Sequence, residues 1–185
     1  MHLNPTSQLQ IGHLKSGSLA LKALAVLTGT ALLTLSSYIA VPMLPVPMTL
    51  QTLAVTVIGA LYGWRLGVLT VIAWLGEAML GLPVLASGGA GLAPFVGPTA
   101  GYLAAFPLAA ALTGWLAERG WNGHRPLLAF AAMLLGNALC LAFGSAWLTL
   151  AIGPVQALLL GTVPFLVGAL VKSALGAALL KSLSR

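Results

Sequence analysis

Apolar residues run along this chain in long blocks, without the alternation or the three-four spacing that marks a half-buried surface element. Three stretches contain no Asp, Glu, Lys or Arg: Ala23 to Trp64, Ala78 to Ala117 and Pro126 to Val171. A membrane-spanning helix needs roughly 20 consecutive apolar residues, so each stretch has room for more than one crossing. Helix breakers divide them. The first span covers about Leu19 to Val41 and stops at Pro42; Pro45 and Pro47 follow, which makes Pro42 to Pro47 an extended loop. The second, about Met48 to Tyr62, is short for a full crossing and is expected to be tilted or buried in protein. Gly63 to Leu66 makes a tight turn around Arg65, and the third span, about Gly67 to Gly81, ends before Pro83.

A Gly- and Pro-rich loop, Leu82 to Pro98, leads to the fourth span, about Thr99 to Leu116. The polar loop Glu118 to Arg125 separates it from the fifth, about Leu127 to Leu148. The remainder contains Pro164, and a proline inside a helix costs about 3 kcal/mol or more. This divides the segment into a short interfacial helix, about Pro154 to Thr162, and a sixth span, about Phe165 to Lys181.

Composition and charge sharpen this picture. Hydrophobic residues make up 59% of the chain and charged residues 5%, against about 25% charged in ordinary soluble domains. The apolar surface must therefore meet lipid, and a mean hydropathy of +1.04 agrees. The net charge of +6 comes from basic residues scattered singly, which set topology rather than form a nucleic-acid patch. Six crossings place Lys15, Lys22, Arg65, Arg119, Arg125, Lys181 and Arg185 on one side, and leave the loops on the other side without charge. The positive-inside rule makes the charged side cytoplasmic. The expected fold is thus an all-α integral membrane protein of six transmembrane helices, with both termini cytoplasmic. A cytoplasmic tail, residues 1–18, precedes one membrane domain, residues 19–185.

Several chemistries are excluded. Cys140 is the only cysteine, and His2, His13 and His124 have no metal-ligand spacing. There is no phosphate-binding loop, GxSxG or HExxH motif, and the only carboxylates are Glu77 and Glu118. No enzyme site, cofactor site or metal site is expected.

Glu77 and Lys172 are the two charges inside the spans. Such charges normally face protein, water or a ligand; either they serve a shared outward-facing cavity, or they snorkel or form a structural ion pair. Gly88, Gly89 and Gly91 allow close backbone approach to a ligand or simply flexibility. Gly97, Pro98, Thr99, Gly101 and Tyr102 open the fourth span, where free N–H groups favour an anionic or carbonyl group. Thr49 is either polar lining or a helix cap. Gln51 and Asn137 are amides in apolar surroundings, and they either line a site or tie helices together.

The segments PVPMTLQTL (Pro45 to Leu53), GLPVLASGG (Gly81 to Gly89), GPTAGYLAAFPLAA (Gly97 to Ala110) and PFLVGALVK (Pro164 to Lys172) resemble the BioY family. These are the biotin-specific S components, or substrate-binding subunits, of energy-coupling-factor (ECF) vitamin transporters. The resemblance implies the ECF S-component fold in a bacterial cytoplasmic membrane. It also implies biotin bound near the outer face under the loops after spans one and three, and a transmembrane coupling (T) protein with ATPase subunits as partners. Only those partners would use ATP. By resemblance, Lys172 neutralises the biotin carboxylate, while Gln51, the glycine loop, Gly97 to Tyr102 and Asn137 fall in or near the site. Trp74 and Tyr102 either pack on the ligand's rings or anchor at the interface. The family usually has an acidic residue where this chain has Ala169, and Glu77 is the candidate replacement. Ala25 and Gly29 form a small-residue pair on span one that either meets the coupling protein or packs internally. The alternative within the same class is a stand-alone biotin transporter or facilitator. A membrane enzyme and a ligand-free scaffold are the alternatives outside it.

Overall fold

The computed structural model describes residues 18–184. Apart from Ser18, the tail lies outside the described residues, as does Arg185. Helix α1, Leu19–Tyr38, begins at Ser18, whose hydroxyl accepts from the Leu21 N–H. A two-residue ribbon follows: β1, Ala40–Val41, pairs antiparallel with β2, Met48–Thr49, around the proline loop. This ribbon is absent from the all-helical reading, because two residues carry no periodic signal. Helix α2 is Gln51–Met79, and Gly63 interrupts it with φ 76° and ψ 168°, a backbone region open essentially to glycine alone.

The two halves of α2 are two crossings. A Cβ placed on Gly67 would lie 2.9 Å from the Gly59 Cα, whereas residues eight apart in a straight helix are separated by roughly 12 Å. The chain therefore doubles back at Gly63, inside the turn expected at 63–66. Every residue from Ala54 to Ala60 is buried. That answers how so short a crossing survives: it sits in the centre of the bundle, not against lipid.

The loop after α2 contains a 3-10 turn, Ala86–Gly88, and the short helix α3, Ala93–Val96. Then come α4, Ala100–Glu118, and α5, Pro126–Ile152. The last segment divides at Pro164 as expected, into α6, Pro154–Gly161, and α7, Val163–Leu183. Among the described residues, five helical stretches are long and apolar enough to cross a membrane, one of them being the folded α2. Counting its two halves gives six crossings.

Most of the charges gather at one end. Lys22, Arg65 and Glu118 line one cavity, and Gly123 of the 119–125 loop packs on the Leu180 carbonyl and Ser184. At the opposite end the loops join one another. The Tyr38 hydroxyl donates to the Pro83 carbonyl, and the Gly91 N–H donates to the Ala78 carbonyl.

Close packing is built from small residues, the usual solution where lipid removes the hydrophobic drive between helices. Gly29 belongs to this packing. A Cβ there would meet Thr70 Cγ2 at 2.5 Å and Tyr62 Cε2 at 3.1 Å, and Ala25 is buried on the same face. Gly29 thus packs against α2, with Ala25 buried on the same face, and of the two readings this favours internal packing. Both neighbours of Gly29 are side chains that can shift. Gly29→Leu should thus cost about 2 kcal/mol, within the overpacking range, read as a lowered thermal midpoint of the isolated subunit.

Candidate functional site

A cavity of about 840 Å³ opens at the loop end, between the proline loop, the loop after α2, and helices α2, α4, α5 and α7. That volume lies within the range of small-molecule sites. The proline loop, Pro42 to Pro47, forms one wall, and Leu85 to Ser87 with Pro94 form another.

Among the described residues, Lys172 is the only charged one lining it. Its ammonium is buried and donates to the Thr49 carbonyl at 3.1 Å and to Thr52 Oγ1 at 2.7 Å. An ammonium has three N–H donors, so one remains for a ligand. No carboxylate among the described residues lines the cavity, and Ala169 lines it one helical turn before the lysine. The acceptors on Lys172 are therefore a carbonyl and a hydroxyl from the start of α2. Glu77 is neither a lining residue nor a partner of Lys172. The expected substitution of Glu77 for the missing acid is not realised: in the cavity, nothing acidic offsets the lysine.

Gln51 lines the cavity but spends most of its amide internally. Its Nε2 donates to Ser37 Oγ of α1 at 3.0 Å, and its Oε1 accepts from Thr49 Oγ1 at 3.0 Å. Thr49 in turn accepts from the Gln51 N–H and lines the cavity; the N-cap position itself is Leu50, so the lining reading holds and the cap reading does not. Asn137 uses only its amide nitrogen, to the Met133 carbonyl at 3.0 Å and Ser173 Oγ at 3.3 Å. Its Oδ1 keeps its acceptor capacity beside the cavity.

Tyr102 and Phe165 face each other across the apolar wall, with ring centroids 6.3 Å apart. The Tyr102 hydroxyl donates to the Gly161 carbonyl at 2.7 Å, which ties α4 to the end of α6. Gly144 makes room for that ring, since a Cβ there would lie 2.2 Å from Tyr102 carbons. Trp74 does not reach the cavity. It is fully buried and stacks at 6.1 Å behind Phe106, which does line it.

Of the candidates at the start of α4, only Thr99 and Tyr102 line the cavity. Gly101 instead lets α5 approach, with Trp147 and the Phe143 carbonyl in its Cβ space. The Gly97 carbonyl accepts from Trp147 Nε1 at 3.0 Å, and Pro98 lies outside the lining. Gly88, Gly89 and Gly91 shape the loop without lining the cavity; Gly88 and Gly91 have positive φ. Among the loop residues that do line it is Ser87, itself at φ 56°. Thr52, Leu103, Phe106, Cys140 and Phe165 are lining residues that sequence reasoning missed. Four of these are apolar or nearly so in an apolar chain, and only Thr52, one residue from Gln51, carried any polar signal.

A small-molecule cavity with one cation, set at one face of a membrane helix bundle, defines a membrane-embedded binding protein for a small organic anion. The particular family follows from sequence and fold together. Residues 8–185 match the BioY family, and the chain belongs to it. It is 34% identical over 144 residues to the probable biotin transporter BioY of Pyrococcus horikoshii, covering 78% of this chain and 84% of the relative. It is 36% identical over 143 residues to the biotin transporter BioY of Rhizobium etli, covering 74% and 76%. Its fold is similar to a crystal structure of the S-component for biotin from an ECF-type ABC transporter. The TM-score is 0.80 at 26% identity, over 91% of this chain and 94% of that one.

Proposed function

We propose that this chain binds biotin in the loop-end cavity and serves as the substrate-specific subunit for biotin uptake. The observation that carries this is the single uncompensated cation among apolar walls. Biotin offers the complementary shape: an apolar bicycle and chain ending in one carboxylate. The carboxylate would accept from the remaining Lys172 donor, a charge-assisted bond of the stronger kind. Asn137 Oδ1 supplies an acceptor for a ureido N–H, and Tyr102, Phe106 and Phe165 enclose the apolar body. Gln51 and Thr99 complete the polar rim.

The charged end would face the cytoplasm of a bacterial cell, with the cavity opening outward. A coupling protein and ATPase subunits would drive transport, and this chain would itself catalyse no covalent step. Because Gly29 and Ala25 are turned inward, contact with the coupling protein would use other residues, among them the outward leucines of α1 such as Leu24 and Leu27.

Equilibrium binding to the purified full chain tests the reading. Biotin should bind one to one, and its methyl ester, which lacks the charge, about tenfold or more weakly, as expected for loss of a charge-assisted hydrogen bond. Equal affinity for acid and ester would remove Lys172 from the ligand's carboxylate.

A further inference from the structure

A second cavity, of about 500 Å³, lies at the charged end, where the start of α1, the Gly63 turn of α2 and the end of α4 converge. Its walls have two chemistries. Lys22 and Arg65 supply two cations, and Tyr62 a phenol. Leu66 and Leu69 continue the wall from Arg65 along the helix toward the bundle centre, and Leu69 is exposed.

Neither cation is neutralised by a carboxylate among the described residues. Lys22 is half-buried and its ammonium makes no side-chain hydrogen bond there. The Arg65 guanidinium lies 5.2 Å over the Trp64 ring. Glu118 borders the cavity from α4 and is engaged in an interaction of its own. The level in the bilayer is set by aromatics: Trp64 and Trp115 are both exposed here, the latter under the Arg119 guanidinium at 3.5 Å. Exposed tryptophans of this kind sit at the depth of lipid headgroups.

We infer that this cavity is a binding site for an anionic phospholipid of the leaflet at the charged end, its phosphate held by Lys22 and Arg65 and an acyl chain lying on Leu66 and Leu69. Basic pockets between membrane helices recognise phosphate headgroups in this way. A phospholipid, unlike a soluble anion, uses both walls.

The site lies at the opposite end from the loop-end cavity and shares no residue with it. Ligand binding there consequently reports the fold independently. Native mass spectrometry of the full chain, titrated with phosphatidylglycerol or phosphatidylcholine in detergent, reads the occupancy directly. Phosphatidylglycerol should bind roughly tenfold more tightly, given the attraction each basic residue contributes near a headgroup. Lys22→Gln with Arg65→Gln should bring it to the phosphatidylcholine level, with biotin binding unchanged, and each single substitution should have an intermediate effect. Equal binding of the two lipids would overturn the inference, as would a phosphatidylglycerol preference that survives the double substitution. Displacement of the lipid by millimolar inorganic phosphate would show that the site takes a free anion and would overturn the lipid assignment.

Discussion

Lys172→Ala weakens biotin binding about a hundredfold, and the neutral methyl ester loses far less. Truncating one member of a desolvated, hydrogen-bonded charge pair costs about 2–5 kcal/mol, because the remaining charge is left unpaired. Here the middle of that range, about 3 kcal/mol, is appropriate. The cavity is open to water at its mouth, and the Thr49 carbonyl and Thr52 already take two of the three Lys172 donors. No second cation among the described residues lines the cavity to take over. The comparison of acid with ester separates two roles for the lysine. If it acts on the carboxylate, the variant binds both compounds alike. If it acts by holding the start of α2 to α7, acid and ester lose affinity together and the thermal midpoint falls. The first pattern is expected, because Thr49 is also fixed by the ribbon and by Gln51.

Gly59→Leu should have the largest effect on the fold. A Cβ at this position would come within 2.5 Å of the Ala110 carbonyl oxygen and 2.9 Å of the Ala110 Cα, as well as 2.4 Å of Thr113 Oγ1. On its other side Gly67 lies so near that a Cβ there would come within 2.9 Å of the Gly59 Cα. Backbone cannot rotate away as a side chain does, so the helices must separate. Overpacking costs up to about 3 kcal/mol and occasionally more, and this site combines two backbone contacts in the bundle centre. At a few degrees per kcal/mol for a chain of this size, the thermal midpoint should drop by about 10 °C. The milder Gly29→Leu, whose obstacles are side chains, is the internal comparison. Equal shifts for the two would show that the bundle centre is softer than its contacts indicate.

Much of the fold was legible because its signals are categorical. Prolines 42, 45 and 47 stop α1, Pro164 divides the last segment, and single basic residues assign each turn to a side. The ends were less legible: α5 runs to Ile152 and α4 to Glu118, since apolar residues beyond a span carry no stop. In the site, polar residues in apolar surroundings were good guides, and Gln51, Thr99, Asn137 and Lys172 all reach the cavity. Rotation of a helix about its axis was not legible. In chains this hydrophobic, every face looks buried, so Trp74 could not be told from Phe106, a lining residue with Trp74 stacked behind it. Gly101 was read as ligand-facing when it in fact admits a neighbouring helix, and of the two readings of Gly29, a partner contact or internal packing, its contacts favour the second. A missing side chain looks the same in sequence whichever neighbour fills the space.

The backbone angle at Gly63 also bears on how the chain enters the membrane. As one straight helix, the 29 residues of α2 would reach roughly 43 Å at 1.5 Å per residue, more than enough to traverse the hydrocarbon core once. Folded at Gly63, they traverse it twice. The choice is one of parity: a single pass would deliver Arg119, Arg125 and Lys181 to the opposite compartment, with every later helix inverted. One glycine and the arginine two residues after it thus fix the handedness of insertion for everything that follows.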